Sequence, residues 1–208
     1  MRPLLLPLVA ALAAGCGGDD VTVHWTLSVD GAPATCEQAG VGFVAVVLRE
    51  PAEMIQYDDL FDCAAGVGSL SPSDHTYEVT AIVFDPDAHM VSPFPTLTTL
   101  EVHGGGGETA IDLGLATGTV SWNITKAGVA ATCAEVFADT VSLSTQAGGA
   151  SFRFAFACGP GSATILRAPG GYTLTTRLEL PTDPIIEERP VTFVPGGGSI
   201  GTSTLAVP

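Results

Sequence analysis

The residues of this sequence that could do chemistry are its five cysteines, its four histidines and one short cluster of acidic side chains. The cluster is the pentapeptide Asp85-Pro86-Asp87-Ala88-His89, in which two carboxylates and an imidazole alternate. Carboxylate oxygens are the ligands that hard cations such as Ca²⁺ prefer, so Asp85, Asp87 and His89 are a weak candidate metal site. The proline predicts a hairpin loop, which explains the same residues without a metal. We therefore expect no cofactor.

No motif of the sequence indicates an enzyme. All four histidines lie in the first half of the chain, and none belongs to a recognisable nucleophile–base motif. The glycine runs at 104–107 and 196–198 lack the Lys-Ser/Thr of a phosphate loop. The formal charge of −15 argues against nucleic acid as a partner, because the chain has too few cations to neutralise phosphates. We expect a protein that is not an enzyme and binds no nucleic acid.

Four of the cysteines belong to a pattern that the chain carries twice. Each copy has a tryptophan, then a cysteine 11 residues later, then a second cysteine, then a tyrosine 14 residues after it. Only the gap between the cysteines differs, at 27 and 25 residues. The copies are Trp25, Cys36, Cys63 and Tyr77, and Trp122, Cys133, Cys158 and Tyr172. This recurrence predicts a tandem repeat of about 95 residues, with one core in each copy.

The repeat also predicts how these cysteines pair. Four cysteines allow three pairings, but copies that each fold on their own must pair internally. We therefore expect one disulfide between Cys36 and Cys63 and another between Cys133 and Cys158. Each loop closure is worth about 3 to 4 kcal/mol in the chain-entropy model. A cysteine metal site is less well supported, because the close Cys-x-x-Cys spacing is missing.

The fifth cysteine follows an N-terminal leader. An apolar run from residue 4 to 14 is too short to span a bilayer and is typical of a signal peptide. It ends in Leu12-Ala13-Ala14-Gly15-Cys16, which resembles the lipobox of bacterial lipoproteins. The resemblance implies that residues 1–15 are removed, that Cys16 is lipidated, and that residues 16–20 form a tether. Gly17 after the cysteine implies the outer rather than the inner membrane. In the alternative, an ordinary signal peptide leaves Cys16 as a free thiol.

The remaining sequence predicts an all-β fold. Residues 21–29 alternate apolar and polar, and further β-forming runs recur at short intervals between Gly, Pro and Asp turns. We predict two tandem antiparallel β-sandwich domains, Ig-like or prealbumin-like, at residues 21–115 and 116–208, each with one internal disulfide. A short junction at 113–118 is expected to join them. The segment Pro169-Gly170-Gly171-Tyr172-Thr173-Leu174 resembles prealbumin-like sandwiches, including carboxypeptidase regulatory-like domains and B-type repeats of collagen-binding adhesins; this resemblance implies the fold and no activity.

Charge separates the two repeats. Residues 16–116 hold 16 acids and a single arginine, whereas residues 117–208 hold 6 acids and five cations. A solvated surface explains the acidic repeat, and a cation-attracting face is the alternative. We expect a cell-envelope lipoprotein that acts as a structural or protein-binding module. The alternative function is an accessory protein that binds carbohydrate or envelope polymer, with a cation in the acidic loop of the first repeat.

Overall fold

The computed structural model describes residues 20–103, 106–147 and 150–208. This part of the chain is all-β and contains fifteen strands and two single 3₁₀ turns, at Cys63–Ala65 and Ala134–Val136. The strands are β1 (Val21–Val29), β2 (Ala32–Ala34), β3 (Phe43–Glu50), β4 (Ile55–Asp62), β5 (Val67–Leu70), β6 (Thr76–Phe84), β7 (Met90–Glu101), β8 (Gly107–Lys126), β9 (Val129–Ala131), β10 (Thr140–Ala147), β11 (Ala150–Ala157), β12 (Ser162–Arg167), β13 (Gly170–Leu178), β14 (Ile185–Phe193) and β15 (Ser199–Val207). In these ranges no helix has the length and apolarity needed to cross a membrane.

The strands form because apolar residues recur at every second position. In β1, Val21, Val23, Trp25 and Leu27 are buried, while the residues between them are at least partly exposed. Successive side chains of a strand point to opposite faces, so this alternation places one face in a core and the other in solvent. β6 and β13 repeat the pattern, and each contains, near its start, the recurring tyrosine of its repeat.

Three sheets build the molecule. Two four-stranded antiparallel sheets have the orders β4-β3-β6-β7 and β11-β10-β13-β14, one from each repeat. The third sheet has seven strands and contains elements of both repeats, with β8 pairing β1 through its first half and β12, β15 and β9 through its second. β1 and β15 are both parallel to β8, so the two halves of this sheet have the same pairing scheme.

The predicted junction at 113–118 lies in the middle of β8 rather than in a loop between two strands. This strand runs for 20 residues without a break and belongs to both repeats. Gly118, the last residue of this predicted junction, is required by packing: a Cβ there would lie 2.4 Å from the ring of Phe193. The glycine therefore allows close approach of an aromatic side chain rather than a change of direction.

Each repeat nevertheless has its own apolar core between two sheets. Leu115 belongs to the first core and Ala116, the next residue of β8, belongs to the second. Two residues of the second repeat, Leu166 and Ala168, pack against the first core, so the cores are in contact across the repeat boundary. The division into separate domains at 115 and 116 stays a prediction.

The disulfides lie within the repeats. Cys36 is bonded to Cys63 and Cys133 to Cys158, with Cα–Cα distances of 5.9 and 6.0 Å. Each bridge joins the segment after a short strand (β2 or β9) to the end of an edge strand (β4 or β11) of the opposite sheet. The bridge therefore links the two sheets of a repeat to each other.

Candidate functional site

The residues that recur in both repeats have structural roles. The indole Nε1 of Trp25 donates a hydrogen bond of 3.0 Å to the carbonyl of Cys63, and Trp122 donates one of 3.0 Å to the carbonyl of Cys158. Both indoles are buried. A buried N–H needs a partner, and the backbone of the second disulfide cysteine supplies it in each repeat.

The recurring tyrosines have an equivalent function. The hydroxyl of Tyr77 donates to the carbonyl of Ser73, and that of Tyr172 donates to the carbonyl of Ala168, four residues earlier in both cases. This is the geometry of the tyrosine corner of sandwich folds, which fixes the chain where it enters a strand. Burial is the largest influence on both phenols and raises the pKa of Tyr77 and of Tyr172, so neither is suited to proton transfer near neutral pH.

A groove lies beside the tryptophan in each repeat. In the first repeat β2 and β5 pair with the two ends of β1 on the same edge and leave Trp25 and Thr26 between them without a partner residue in either strand. In the second, β9 and β12 do the same along β8 and leave Trp122 and Asn123. The disulfide segment closes one wall of each groove. The volumes are about 620 Å³ in the first repeat and about 740 Å³ in the second.

The disulfide segment of each groove is fixed by the same hydrogen bonds. Thr35 and Gln38 form a reciprocal capping box, in which each side chain accepts from the other's backbone N–H. Thr132 and Glu135 form the corresponding box in the second repeat. The backbone hydrogen bond from Thr132 is the main reason that the pKa of Glu135 is lowered. The walls of both grooves are therefore built from one local design.

The repeats differ two residues after the end of this capping box. Gly40 has φ 61° and its N–H donates to the carbonyl of Glu37. Phe137 occupies the equivalent position, with φ 57° and the equivalent bond to the carbonyl of Ala134. An aromatic residue is strained in this left-handed region, where glycine is not. The Phe137 side chain is also 77% exposed, so the second repeat has an exposed aromatic where the first has no side chain.

The candidate metal cluster is brought together by its own loop. The donor atoms of Asp85, Asp87 and His89 lie within 4.8 Å of one another. The Asp85 carboxylate accepts the backbone N–H of Asp87 at 3.0 Å and of His89 at 2.8 Å, and its other oxygen lies 3.2 Å from the His89 ring. These bonds hold the hairpin between β6 and β7. Three groups are fewer than the six to eight oxygens that Ca²⁺ takes, so the cluster stays a weak candidate.

The histidines pair with carboxylates of their own repeat. His24 lies 3.0 Å from Glu108, His75 lies 3.8 Å from Glu53, and His103 lies 3.7 Å from Glu101. In the part of the chain described, no histidine hydrogen-bonds a serine or cysteine. The arrangement supplies polar surface contacts between imidazoles and carboxylates and does not place a base beside a nucleophile.

The second repeat has a carboxylate network on the outer face of its four-stranded sheet. Glu179 accepts from Ser142 at 3.0 Å and from Arg177 at 3.0 Å, and it also pairs with Arg153. Burial alone would raise its pKa, but the hydrogen bonds from Ser142 and Arg177 and the two nearby arginine charges together lower the pKa of Glu179. The network joins β10, β11 and β13 at the end of the sheet.

Sequence reasoning did not find the buried arginine at the repeat boundary. Arg167 is fully buried, donates from Nε to Thr145 at 2.6 Å, and donates from Nη1 to the carbonyl of Val91 in the first repeat. Its guanidinium lies over the rings of Phe152 and Phe154. Burial lowers its pKa to about 10, and Nη2 has no partner among the described residues. An arginine next to apolar residues in a strand is indistinguishable from a surface arginine in the sequence, so no signal marked it.

Asp30 and Gly31 were predicted to form a turn, but the long-range contacts of Asp30 were not predicted from the sequence. Its carboxylate accepts the backbone N–H of Thr117 at 2.8 Å and the Thr117 hydroxyl at 2.6 Å. Its own N–H donates to the carbonyl of Leu115. The turn after β1 is therefore fixed to the point where β8 passes from the first core to the second.

The predicted lipidation residue, Cys16, lies outside the described residues. The first strand begins five residues after it, and Asp20 accepts the N–H of Gly107 at 3.3 Å. The start of β1 therefore lies beside the start of β8, at the end of the first repeat. The other end of β8 is at Lys126, in the second repeat. We call the surface there, formed by residues 127–138, the distal face.

Comparisons with known proteins found similar solved structures at low sequence identity. No protein-family model matches the chain, and no curated protein matches it. A candidate adhesin from Bacteroides ovatus is similar with a TM-score of 0.41 and 10% identity, over 89% of this chain and 87% of that one. The fimbrial anchor protein Mfa2 from Porphyromonas gingivalis has a TM-score of 0.40 and 12% identity, over 78% of each chain.

A leucine-rich repeat protein from Bacteroides thetaiotaomicron has a TM-score of 0.37 and 14% identity. The match spans 91% of this chain but about a quarter (26%) of that one. At these scores the neighbours support no argument about activity or partners.

Proposed function

We propose that this protein is a non-catalytic lipoprotein of a bacterial cell envelope, anchored through Cys16 and acting as a structural or protein-binding module. The observation that carries the proposal is the polarity of the molecule. The first residues of β1 lie at one end of the first repeat, beside the start of β8. β8 runs from that end through the first repeat and on into the second. A 20-residue strand is roughly 65 Å long. A lipid at Cys16 would therefore leave the distal face far from the bilayer.

The roles of the recurring residues support a binding or structural function over catalysis. Tryptophans, disulfides, tyrosines and capping boxes all stabilise the two sandwiches. Protein binding is favoured over carbohydrate binding because a sugar platform needs several exposed rings. Among the large apolar side chains exposed on the described surface, Phe137 is the single aromatic.

The anchor is tested by the variant Cys16→Ser in the native host. We expect loss of labelling by a fatty-acid probe and release of the protein from the membrane fraction. The matched variant Gly17→Asp keeps the cysteine, so it should still be labelled and should move from the outer to the inner membrane. If Cys16→Ser is still labelled and still sediments with membranes, the lipoprotein assignment is wrong.

A further inference from the structure

The distal face has exposed apolar side chains that the fold does not require. Val129 in β9 is 69% exposed and Phe137 is 77% exposed. The equivalent positions of the first repeat hold the smaller residues Ala32 and Gly40. Glycine forms the same hydrogen-bonded turn without strain, so Phe137 is unfavourable both for its backbone conformation and for its exposure. A side chain with two such disadvantages and no intramolecular role indicates a binding function.

Hollows lie beside these protruding side chains. The groove of the second repeat is lined by Trp122 and by residues 130–134, which end three residues before Phe137. A second hollow, of about 450 Å³, shares Ala130 and Ala131 with this groove and extends to Lys126 and Glu135. The distal face therefore presents the exposed Phe137 ring and, two residues away in sequence at Glu135, a hollow with alanine and valine walls flanked by the charged residues Lys126 and Glu135. A two-fold contact needs this combination, because each copy must supply both members of every pair.

The distribution of charge favours contact through this end of the molecule. Most of the negative charge is in the first repeat, whereas the second is nearly neutral, with 6 acids and five cations over residues 117–208. Two copies that meet at their distal faces would hold their acidic repeats at opposite outer ends. That separation exceeds the screening length of about 8 Å at physiological ionic strength many times over. Parallel side-by-side association would instead place the acidic repeats against each other.

We propose that the distal face binds the distal face of a second copy of this chain, with Phe137 of each copy entering the hollow beside β9 of the other. The association goes beyond the proposed function and does not require the lipid. Its consequence for membranes does rest on the proposed function: copies anchored in two facing bilayers would connect them end to end. A contact that rests on one aromatic side chain from each copy is expected to be weak, with a dissociation constant on the order of micromolar.

The test uses the full lipidated chain reconstituted in phosphatidylcholine vesicles, with Phe137→Gly as the variant. This change installs the residue of the first repeat and removes strain, so the variant should fold at least as stably as wild type. Met54→Gly is the matched control, because Met54 also has positive φ and is exposed, but lies in the β3–β4 hairpin near the start of β8. Flotation reports the anchor, and light scattering reports vesicle clustering.

We expect wild type and Met54→Gly to float with the vesicles and to cluster them. Phe137→Gly should float but need at least about tenfold more protein to cluster, since an aromatic anchor carries much of the affinity of such a contact. Flotation without wild-type clustering overturns the self-association and leaves the anchor intact. Clustering that is unchanged in Phe137→Gly, or that needs an added second protein, also overturns it.

Failure of flotation contradicts the anchor and not the self-association. In that case sedimentation equilibrium of the unanchored protein replaces the vesicles. A wild-type dimer that Phe137→Gly weakens at least about tenfold supports the proposal. A wild-type chain that stays monomeric at about 100 µM, well above the micromolar dissociation constant expected for such a contact, overturns it.

Discussion

The tryptophan beside each disulfide is the clearest case of a residue whose role follows from its contacts. Each indole is buried and hydrogen-bonded to a cysteine carbonyl that lies in the same core. Exposed tryptophans in binding sites have neither feature. The recurrence of Trp25 and Trp122 therefore reflects the need to fill and fix two cores, although each also forms part of a groove wall.

Replacement of either tryptophan should destabilise the protein in proportion to what is removed. Trp25→Ala or Trp122→Ala leaves a cavity and should lower the free energy of unfolding by about 3 to 5 kcal/mol. Trp→Phe keeps most of the packing but removes the indole donor. The cysteine carbonyl still accepts the N–H of Gly66 or Gly161, so the loss should be about 1 kcal/mol. Urea titrations monitored by circular dichroism measure both losses in the free energy of unfolding. An alanine variant within about 1 kcal/mol of wild type would contradict the core role.

The buried charge of Arg167 leads to an unusual expectation at the residue scale. Removing a buried guanidinium that has no carboxylate partner also removes its desolvation penalty. That gain offsets the loss of the donor to Thr145 and to the Val91 carbonyl. Arg167→Met should therefore stay within about 1 kcal/mol of wild type, because methionine can still fill the space beside Phe152 and Phe154. Arg167→Ala should be less stable by about 2 to 4 kcal/mol because of the cavity. Thermal denaturation of the two variants tests this. A methionine variant that is less stable than the alanine variant would refute it.

At the scale of elements, the sequence predicted strands better than connections. β15 begins and ends where the pattern of residues 199–207 places it. The start of β7 was missed because Pro93 and Pro95 argue against a strand, yet β7 is at the edge of its sheet, where proline is tolerated. The short strands β2, β5, β9 and β12 carry too few residues for a periodic signal.

β8 could not be predicted as one strand for a different reason. Its middle residues include Gly114 and Gly118, and in a single sequence such glycines indicate a break between two strands. The partners that explain an extended backbone at this point are distant in sequence: Asp30 is 87 residues from Thr117. Arg167 and Val91, 76 residues apart, are equally invisible before the fold is known.

The turn after β1 should contribute to the stability of the repeat boundary. Asp30→Ala removes two acceptors of Thr117 and should lower the free energy of unfolding by about 1 to 3 kcal/mol. Alanine itself is compatible with the turn, because Ala127 occupies the equivalent turn of the second repeat with φ 50°. Ala127→Asp is the control and should change stability by less than about 0.5 kcal/mol. Equal effects of the two substitutions would show that the bond to Thr117 is unimportant.

At the scale of the whole molecule, two cores share one strand. The duplicated spacing led to the expectation that each repeat folds on its own core. The structure has the two cores, but β8, the Asp30–Thr117 bonds and the contacts of Ala168 and Arg167 connect them. Loss of one core would expose half of β8 and the apolar residues packed across the boundary.

We therefore expect the two cores to unfold together. Trp25→Phe destabilises the first core and leaves Trp122 as the only fluorescent tryptophan, which reports on the second. Coupling predicts that the Trp122 signal of this variant changes at a lower urea concentration than wild type does. The reciprocal variant Trp122→Phe should shift the Trp25 signal in the same direction. An unchanged midpoint in both variants would establish independent domains.

The parallel pairing of β1 with β8 has a mechanical consequence. A pull between Asp20 and the distal face draws β1 toward one end through Val21 and β8 toward the other through Lys126. The load acts along the strands, so the nine residue pairs between Val21–Val29 and Gly107–Leu115 bear it simultaneously. A hairpin pulled at its open end would instead peel one pair at a time. The molecule is therefore built to resist tension along its long axis.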